Sequence, residues 1–140
     1  MPYPIPISFD DTIIVAKTLW GESRNQSFGG MTAVAWVIRT RHQAQKERWG
    51  LTPSGVCKKK WQFSCWNDGD PNRPKMEQLT LLDAMFRRHF SIATLVFGDF
   101  LANPMPGATH YFNPNVVLPS WAARMNHVGL LGDHDFYREE

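Results

Sequence analysis

A chain of 140 residues with only five glutamates offers few places for acid–base chemistry, and the five are not equivalent. Glu139 and Glu140 end the chain, while Glu47 and Glu77 sit among charged residues with the pattern of a helix surface. Glu22 follows Leu19-Trp20-Gly21 at the end of an apolar segment, beside a glycine that lets other groups come close. A carboxyl placed against apolar and aromatic surface is disfavoured in its charged form. A carboxyl that keeps its proton can hand it to a leaving alcohol oxygen. The competing reading is that Glu22 merely closes a helix or pairs with Arg24, and position alone does not separate the two.

Two aromatic clusters could supply binding groups. Gln62-Phe63-Ser64-Cys65-Trp66-Asn67 interleaves rings and amides in a loop-like stretch, a mixture suited to sugars: flat faces for the apolar side of a ring, amides for its hydroxyls. His110-Tyr111-Phe112-Asn113, with Trp121 close behind, is the other. Rival chemistries use the same residues. Cys65 with His110, His127 or His134 would be a cysteine nucleophile and its base, although no helix start is evident to activate the thiol. His110, His127, His134, Asp133 and Asp135 contain the donor types for zinc, but their spacing matches no short metal signature. His134, between two aspartates in a glycine turn, reads more simply as a histidine whose ring orients a neighbour. Cys57 and Cys65 read as a pair of semi-buried thiols, with a single disulfide as the alternative.

The elements that must position these groups follow from period and punctuation. Met1–Ser8 is proline-laced and reads as an extended arm (residues 1–9), leaving residues 10–140 as one domain. Asp10 and Asp11 are helix-capping residue types ahead of a helix over Thr12–Trp20. Gly29-Gly30 break the chain, and a helix from Met31 to about Glu47 follows, apolar nearly all round in its first half and basic in its second. A short helix is expected near Ser54–Lys58, and Pro74 opens a longer one to about Phe97, with a break near Ser91. Gly107–Asn113 and His127–Tyr137 read as strand or hairpin arms, with Pro119–Met125 a helical turn between them. The sum is an α+β, mainly α domain with a small antiparallel β element in its C-terminal half.

Composition narrows the class further. Fifteen Lys and Arg against 13 Asp and Glu give +2, too near neutral to indicate nucleic-acid binding. No apolar run approaches the ~20 residues of a membrane helix. The proline-rich start lacks the regions of an export signal, so the expectation is synthesis in the cytoplasm and action elsewhere after release by another factor. The Lys and Arg excess between Arg39 and Lys60 reads as a solvated helix face.

Taken in order, the segments resemble the cell-wall hydrolase family typified by spore-cortex-lytic enzymes (SleB/CwlJ type). Leu19-Trp20-Gly21-Glu22-Ser23-Arg24 is similar to its GEAR motif, and Gly30 to Arg41 to its "AVAWVILNR" helix. Val56-Cys57 with Gln62-Phe63-Ser64-Cys65-Trp66 resembles "VC…QFSCW". Gly107 to Pro114 matches "GATHYFNP", and Val128-Gly129 to Tyr137 resembles "IG.H.FY". The resemblance covers residues 10–137 and implies a lysozyme-like helical core around a cleft. The implied activity is cleavage of peptidoglycan between N-acetylmuramic acid and N-acetylglucosamine, with Glu22 as the catalytic acid. Without an attached wall-binding domain or export signal, the chain looks like a phage or prophage lysis protein.

A lytic transglycosylase needs one carboxylate. Two-carboxylate hydrolysis would need a partner from Asp68, Asp70, Asp133 or Asp135. Gln62, Ser64, Trp66, Tyr111, Asn113 and Trp121 are expected to bind substrate and His134 to orient the site from behind. The reading calls for neither cofactor nor metal ion, and for a monomer. Ser23 replaces the motif's alanine and would put a hydroxyl beside the acid. Asp68–Pro74 fits no part of the family pattern.

Overall fold

The structure, a computed structural model, describes residues 4–140, so Met1–Tyr3 of the expected arm lie outside the described residues. Among the described residues, five α-helices are followed by three strands: α1 Phe9–Ser23, α2 Phe28–Ala44, α3 Pro53–Lys58, α4 Asn72–Glu77, α5 Ala84–Phe97, β1 His110–Phe112, β2 Asn126–Leu131 and β3 His134–Arg138. Among the described residues no helix is long and apolar enough to cross a membrane.

α2 is the centre. Met31 to Ile38 are all buried, so the helix touches other elements on every side. Val34, Val37, Ile38 and Thr32 are β-branched and each costs a few tenths of a kcal/mol in helix propensity. Burying one such apolar side chain returns ~1.5–3 kcal/mol, so packing decides the conformation. Around α2, α5 shows the amphipathic version of the same logic, burying Phe86, His89, Ile92, Ala93, Val96 and Phe97 at three- and four-residue steps. The arm joins this layer: the Ile5 N–H donates to the Phe97 carbonyl at 2.8 Å, and Ile5 and Ile7 pack on the core.

Several boundaries differ from the sequence expectation. Ser8, not Asp10 or Asp11, caps α1, its Oγ accepting from the Asp11 N–H at 3.0 Å. α1 also runs through Gly21 to Ser23 instead of ending at Trp20, because Gly21 is where other elements press on the helix. A Cβ there would lie 2.7 Å from both the Cys65 Cβ and the Met76 Sδ. α2 starts at Phe28, since the Ser27 hydroxyl accepts from Gly30 and carries the two glycines into the first turn. It stops at Ala44, where Gln45 turns left-handed. The long helix expected from Pro74 is two, α4 and α5, and the break falls before Asp83, whose carboxylate caps α5 at Phe86. Nor is the basic stretch wholly solvated: Arg39 and Arg41 are buried.

The strands form one antiparallel sheet ordered β1-β3-β2, with the β2–β3 turn at Gly132, where φ is +60°. Pairing of Tyr111 with Phe136 and His110 with Tyr137 fixes which residues share a face. Side chains alternate along a strand. Tyr111, His134 and Phe136 therefore face the helices, while His110, Phe112 and Tyr137 face away, where Trp121 covers them from a 3-10 turn over Ser120–Arg124.

Candidate active site

Glu22 lies in the last turn of α1, half-buried, and each of its oxygens has a donor from a different part of the chain. The Tyr111 hydroxyl of β1 donates to Oε1 at 2.8 Å. The backbone N–H of Cys65, in a short 3-10 turn over Ser64–Trp66, donates to Oε2 at 3.3 Å. The carboxyl is thus held at a junction of helix, loop and sheet, which fixes its rotamer and plane. Close packing at Gly21 makes the second bond possible, because only hydrogen at that position lets the Cys65 turn come within reach.

Tyr111 is fixed in turn. Its ring lies 4.7 Å from His134, 5.6 Å from Phe136 and 6.4 Å from Phe63. Burial, reinforced by Glu22, pushes its hydroxyl well above the usual tyrosine range, so it remains a donor to the carboxylate. His134 is buried, and burial lowers its pKa, so its ring packs on Tyr111 as a neutral imidazole.

One open side of Glu22 faces a cleft of about 300 Å³ lined by Gly21, Glu22, Arg24, Asn25 and Asn72. Arg24 does not pair with Glu22. Its guanidinium donates to the Trp20 carbonyl and to Asn72 Oδ1, both at 3.0 Å, and lies 4.0 Å above the Trp20 ring. Asn25 and Asn72 are cleft residues that sequence reasoning missed. Asn72 belongs to the Asp68–Pro74 stretch that fits no family pattern, and nothing local distinguished it from a turn amide.

The other expected residues are distributed more widely. Gln62 accepts a 2.6 Å hydrogen bond on its amide oxygen from buried Arg41, whose guanidinium also donates to the Thr109 carbonyl. Desolvation lowers the Arg41 pKa to about 10, still a cation at neutral pH. Ser64 is exposed at the start of the Cys65 turn. Trp66 donates from its indole to Thr18 Oγ1 at 2.9 Å and lines a second groove, not the Glu22 cleft. Asn113 uses its amide oxygen to cap the following turn at Asn115, and Trp121 lies on the far face of the sheet from Tyr111. The Ser23 hydroxyl does not reach the acid. It is fully buried and donates back to the Leu19 carbonyl at 2.8 Å.

The four aspartates considered as second carboxylates are all engaged elsewhere. Asp68 pairs with Arg73 at 2.7 Å, Asp70 accepts from the Asn72 N–H, Asp133 bonds Gln26, and Asp135 bonds His127 at 2.6 Å. The rival chemistries fare no better. Cys57 and Cys65 are free, buried thiols. Burial pushes Cys57 up to about 12, and burial with nearby Glu22 drives Cys65 higher still, the opposite of an activated nucleophile. Among the described residues no three His, Cys, Asp or Glu side chains gather as a metal site would require.

Comparison with known proteins agrees with this architecture. A family model described as Cell Wall Hydrolase matches residues 25–137, beginning three residues after Glu22. A spore cortex-lytic enzyme of Halalkalibacterium halodurans is 27% identical over 135 residues, covering 95% of this chain and 36% of that protein. The chain thus spans about a third of that relative's length. The catalytic domain of the germination-specific lytic transglycosylase SleB from Bacillus anthracis superposes with a TM-score of 0.74 at 24% identity, covering 96% of this chain and 99% of that one. The SleB catalytic domain of Bacillus cereus gives 0.75 at 24% identity, over 97% and 95% of the two chains. At this identity the two structures establish the shared fold, a mainly helical core with a small antiparallel sheet.

Proposed function

This chain belongs to the cell wall hydrolase family, and we propose that it cuts peptidoglycan glycan strands between N-acetylmuramic acid and N-acetylglucosamine as a lytic transglycosylase, with Glu22 as its single acid and base. The observation that carries this reading is a carboxyl held by Tyr111 and Cys65 at the edge of a cleft whose other lining residues, Gly21, Arg24, Asn25 and Asn72, include no second carboxylate. The names of the relatives, a spore cortex-lytic enzyme and a lytic transglycosylase, support the substrate class.

In this mechanism the Glu22 carboxyl protonates the glycosidic oxygen as the bond to the muramic C1 breaks and positive charge develops on that ring. The carboxylate left behind takes the proton from the sugar's own C6 hydroxyl, and O6 closes on C1 to give a 1,6-anhydro end. The proton returns to Glu22, so the cycle balances without water. Tyr111 and the Cys65 N–H hold the carboxyl on the path of both transfers and stabilise its charged phase. Asn25 and Asn72 offer amides to the N-acetyl groups and hydroxyls of the strand.

The test is mass spectrometry of fragments released from purified peptidoglycan. Muramic ends lighter by one water are expected. Hydrated reducing ends would replace the C6 hydroxyl with water and require a partner aspartate, and freed peptides on intact glycan would reject the bond assignment. Glu22→Gln keeps the shape but removes the transferable proton, so turnover should fall by ~10²–10⁴.

A further inference from the structure

A second concavity, about 390 Å³, lies beside the Glu22 cleft and is not used by the mechanism above. Lys58, Lys59, Lys60, Trp61, Trp66, Asn67, Asp68 and Arg73 line it, so four cations face one carboxylate in a chain whose whole net charge is +2. Two of its cations lie against its rings, Lys58 at 4.9 Å from the Trp66 centroid and Lys60 at 5.4 Å from that of Trp61. Trp61 is the anomaly. The residue is 75% exposed, and its φ of +69° is a left-handed conformation that bulky residues rarely adopt. No core packing explains why the chain would hold an indole in water on a strained backbone.

Two pairs of chain neighbours tie the lining of the groove to the catalytic cleft. Trp66 follows Cys65, whose N–H holds Glu22, and Arg73 follows Asn72, which lines the cleft. A ligand spanning both sites would be extended, would present sugar faces to indoles and would carry anionic groups at intervals. We propose that this groove binds the peptide-bearing part of the glycan strand beside the bond that is cut, with Trp61 and Trp66 stacking on sugar rings and Lys58, Lys59 and Lys60 taking the carboxylates of the peptides, while Arg73 stays paired with Asp68. The proposal rests on the glycan-cleaving reading of Glu22 and adds to it a recognition element for peptide-substituted strands.

Binding is measured with the full chain carrying Glu22→Gln, so that strands are held and not cut. The ligands are soluble glycan strands with their peptides and the same strands after the peptides are removed by an amidase. The wild-type groove should bind the peptide-bearing strands more tightly. Lys58→Gln with Lys60→Gln should weaken binding of those strands by roughly 3- to 10-fold, the worth of two exposed charge pairs, and leave stripped strands unaffected. Raised salt should erase the same difference. Trp61→Ala should weaken both ligands. Equal loss on both ligands in the lysine variant, or no loss in the tryptophan variant, overturns the proposal. All three positions are solvent-exposed, and circular dichroism verifies that the variants fold. Shortened strands in the Glu22→Gln samples would instead reject the catalytic reading, whatever the binding series gives.

Discussion

The two faces of the small sheet are built from the same strands and do different work. The inner face carries Tyr111, His134 and Phe136, and one hydroxyl from it reaches Glu22. The outer face carries His110, Phe112, Tyr137 and His127 under Trp121, a stack of rings with centroids 5.0–5.9 Å apart that contacts no part of the cleft. A three-residue strand is too short to hold itself. The outer stack helps hold β1 in the sheet, while Tyr111, its middle residue, is positioned by the inner-face rings of Phe63, His134 and Phe136. Ring packing fills one face and the hydrogen bond to Glu22 leaves from the other, one residue out of phase.

The sharpest way to break that comparison is on the outer face. Trp121→Ala removes the cover from three rings and should cost about 3 kcal/mol, the lower end for tryptophan truncation because Trp121 is partly exposed. Activity per folded molecule should change little. A variant with an unchanged melting temperature and a raised KM on glycan strands would make the outer face a substrate platform. Next in size is Tyr111→Phe, which keeps the ring stack and removes only the donor to Glu22. Turnover should drop 10- to 100-fold, about 1.4–2.7 kcal/mol of transition-state stabilisation, with melting little altered. Loss of stability without loss of turnover would make Tyr111 a packing residue only.

How much of this the sequence carries depends on how local the cause is. Glu22 stands out in the sequence because its neighbours form an apolar segment ending in glycine, and the motif order implies the fold. The cap at Ser8 differs from the expected Asp10 and Asp11 because several capping residue types lie side by side, and the start of α2 at Ser27 is hidden by Gly29-Gly30, which read as a break but lie in the first turn. Asn113 and Trp121 have the composition of sugar-binding groups, yet a turn cap and strand alternation occupy them, and Trp66, bonded through its indole edge to Thr18, lines a groove other than the Glu22 cleft. Buried Arg39 and Arg41 looked like solvated charge because the carbonyls that accept from them, Val96 and Thr109, are more than fifty residues away.

Gly21→Ala tests the link between helix and site at smaller amplitude. Alanine favours the helix by ~0.5–1 kcal/mol, but its methyl would meet Cys65 Cβ, which cannot swing aside as Met76 Sδ can. Overpacking of ~1–3 kcal/mol should win, and the displaced turn should take the Cys65 N–H from Glu22. Melting temperature and turnover are expected to fall together. A fall in melting alone would mean that the Cys65 donor contributes nothing to turnover.

The smallest effect returns to the outer face and separates it from the inner by pH. His110 is wedged between Trp49, at 6.0 Å, and Trp121, at 5.0 Å, with Thr109 Oγ1 2.9 Å from its Nδ1. Burial, with Arg41 and Arg48 nearby, lowers its pKa to about 4, although Glu139 acts in the other sense. The unfolded chain takes a proton at this ring near pH 6.5, which the folded chain refuses until about pH 4. The contribution is therefore complete above pH 6.5 and declines as pH falls through that window. A wholly buried ring with this shift would contribute ~3 kcal/mol, and partial exposure reduces the expectation to about 1 kcal/mol. Melting curves of the wild type and of His110→Gln between pH 7 and 4.5 should diverge, the wild type losing more. Parallel curves would shift the acid sensitivity to groups such as His134, whose pKa burial also lowers, and would place it on the inner face beside Tyr111.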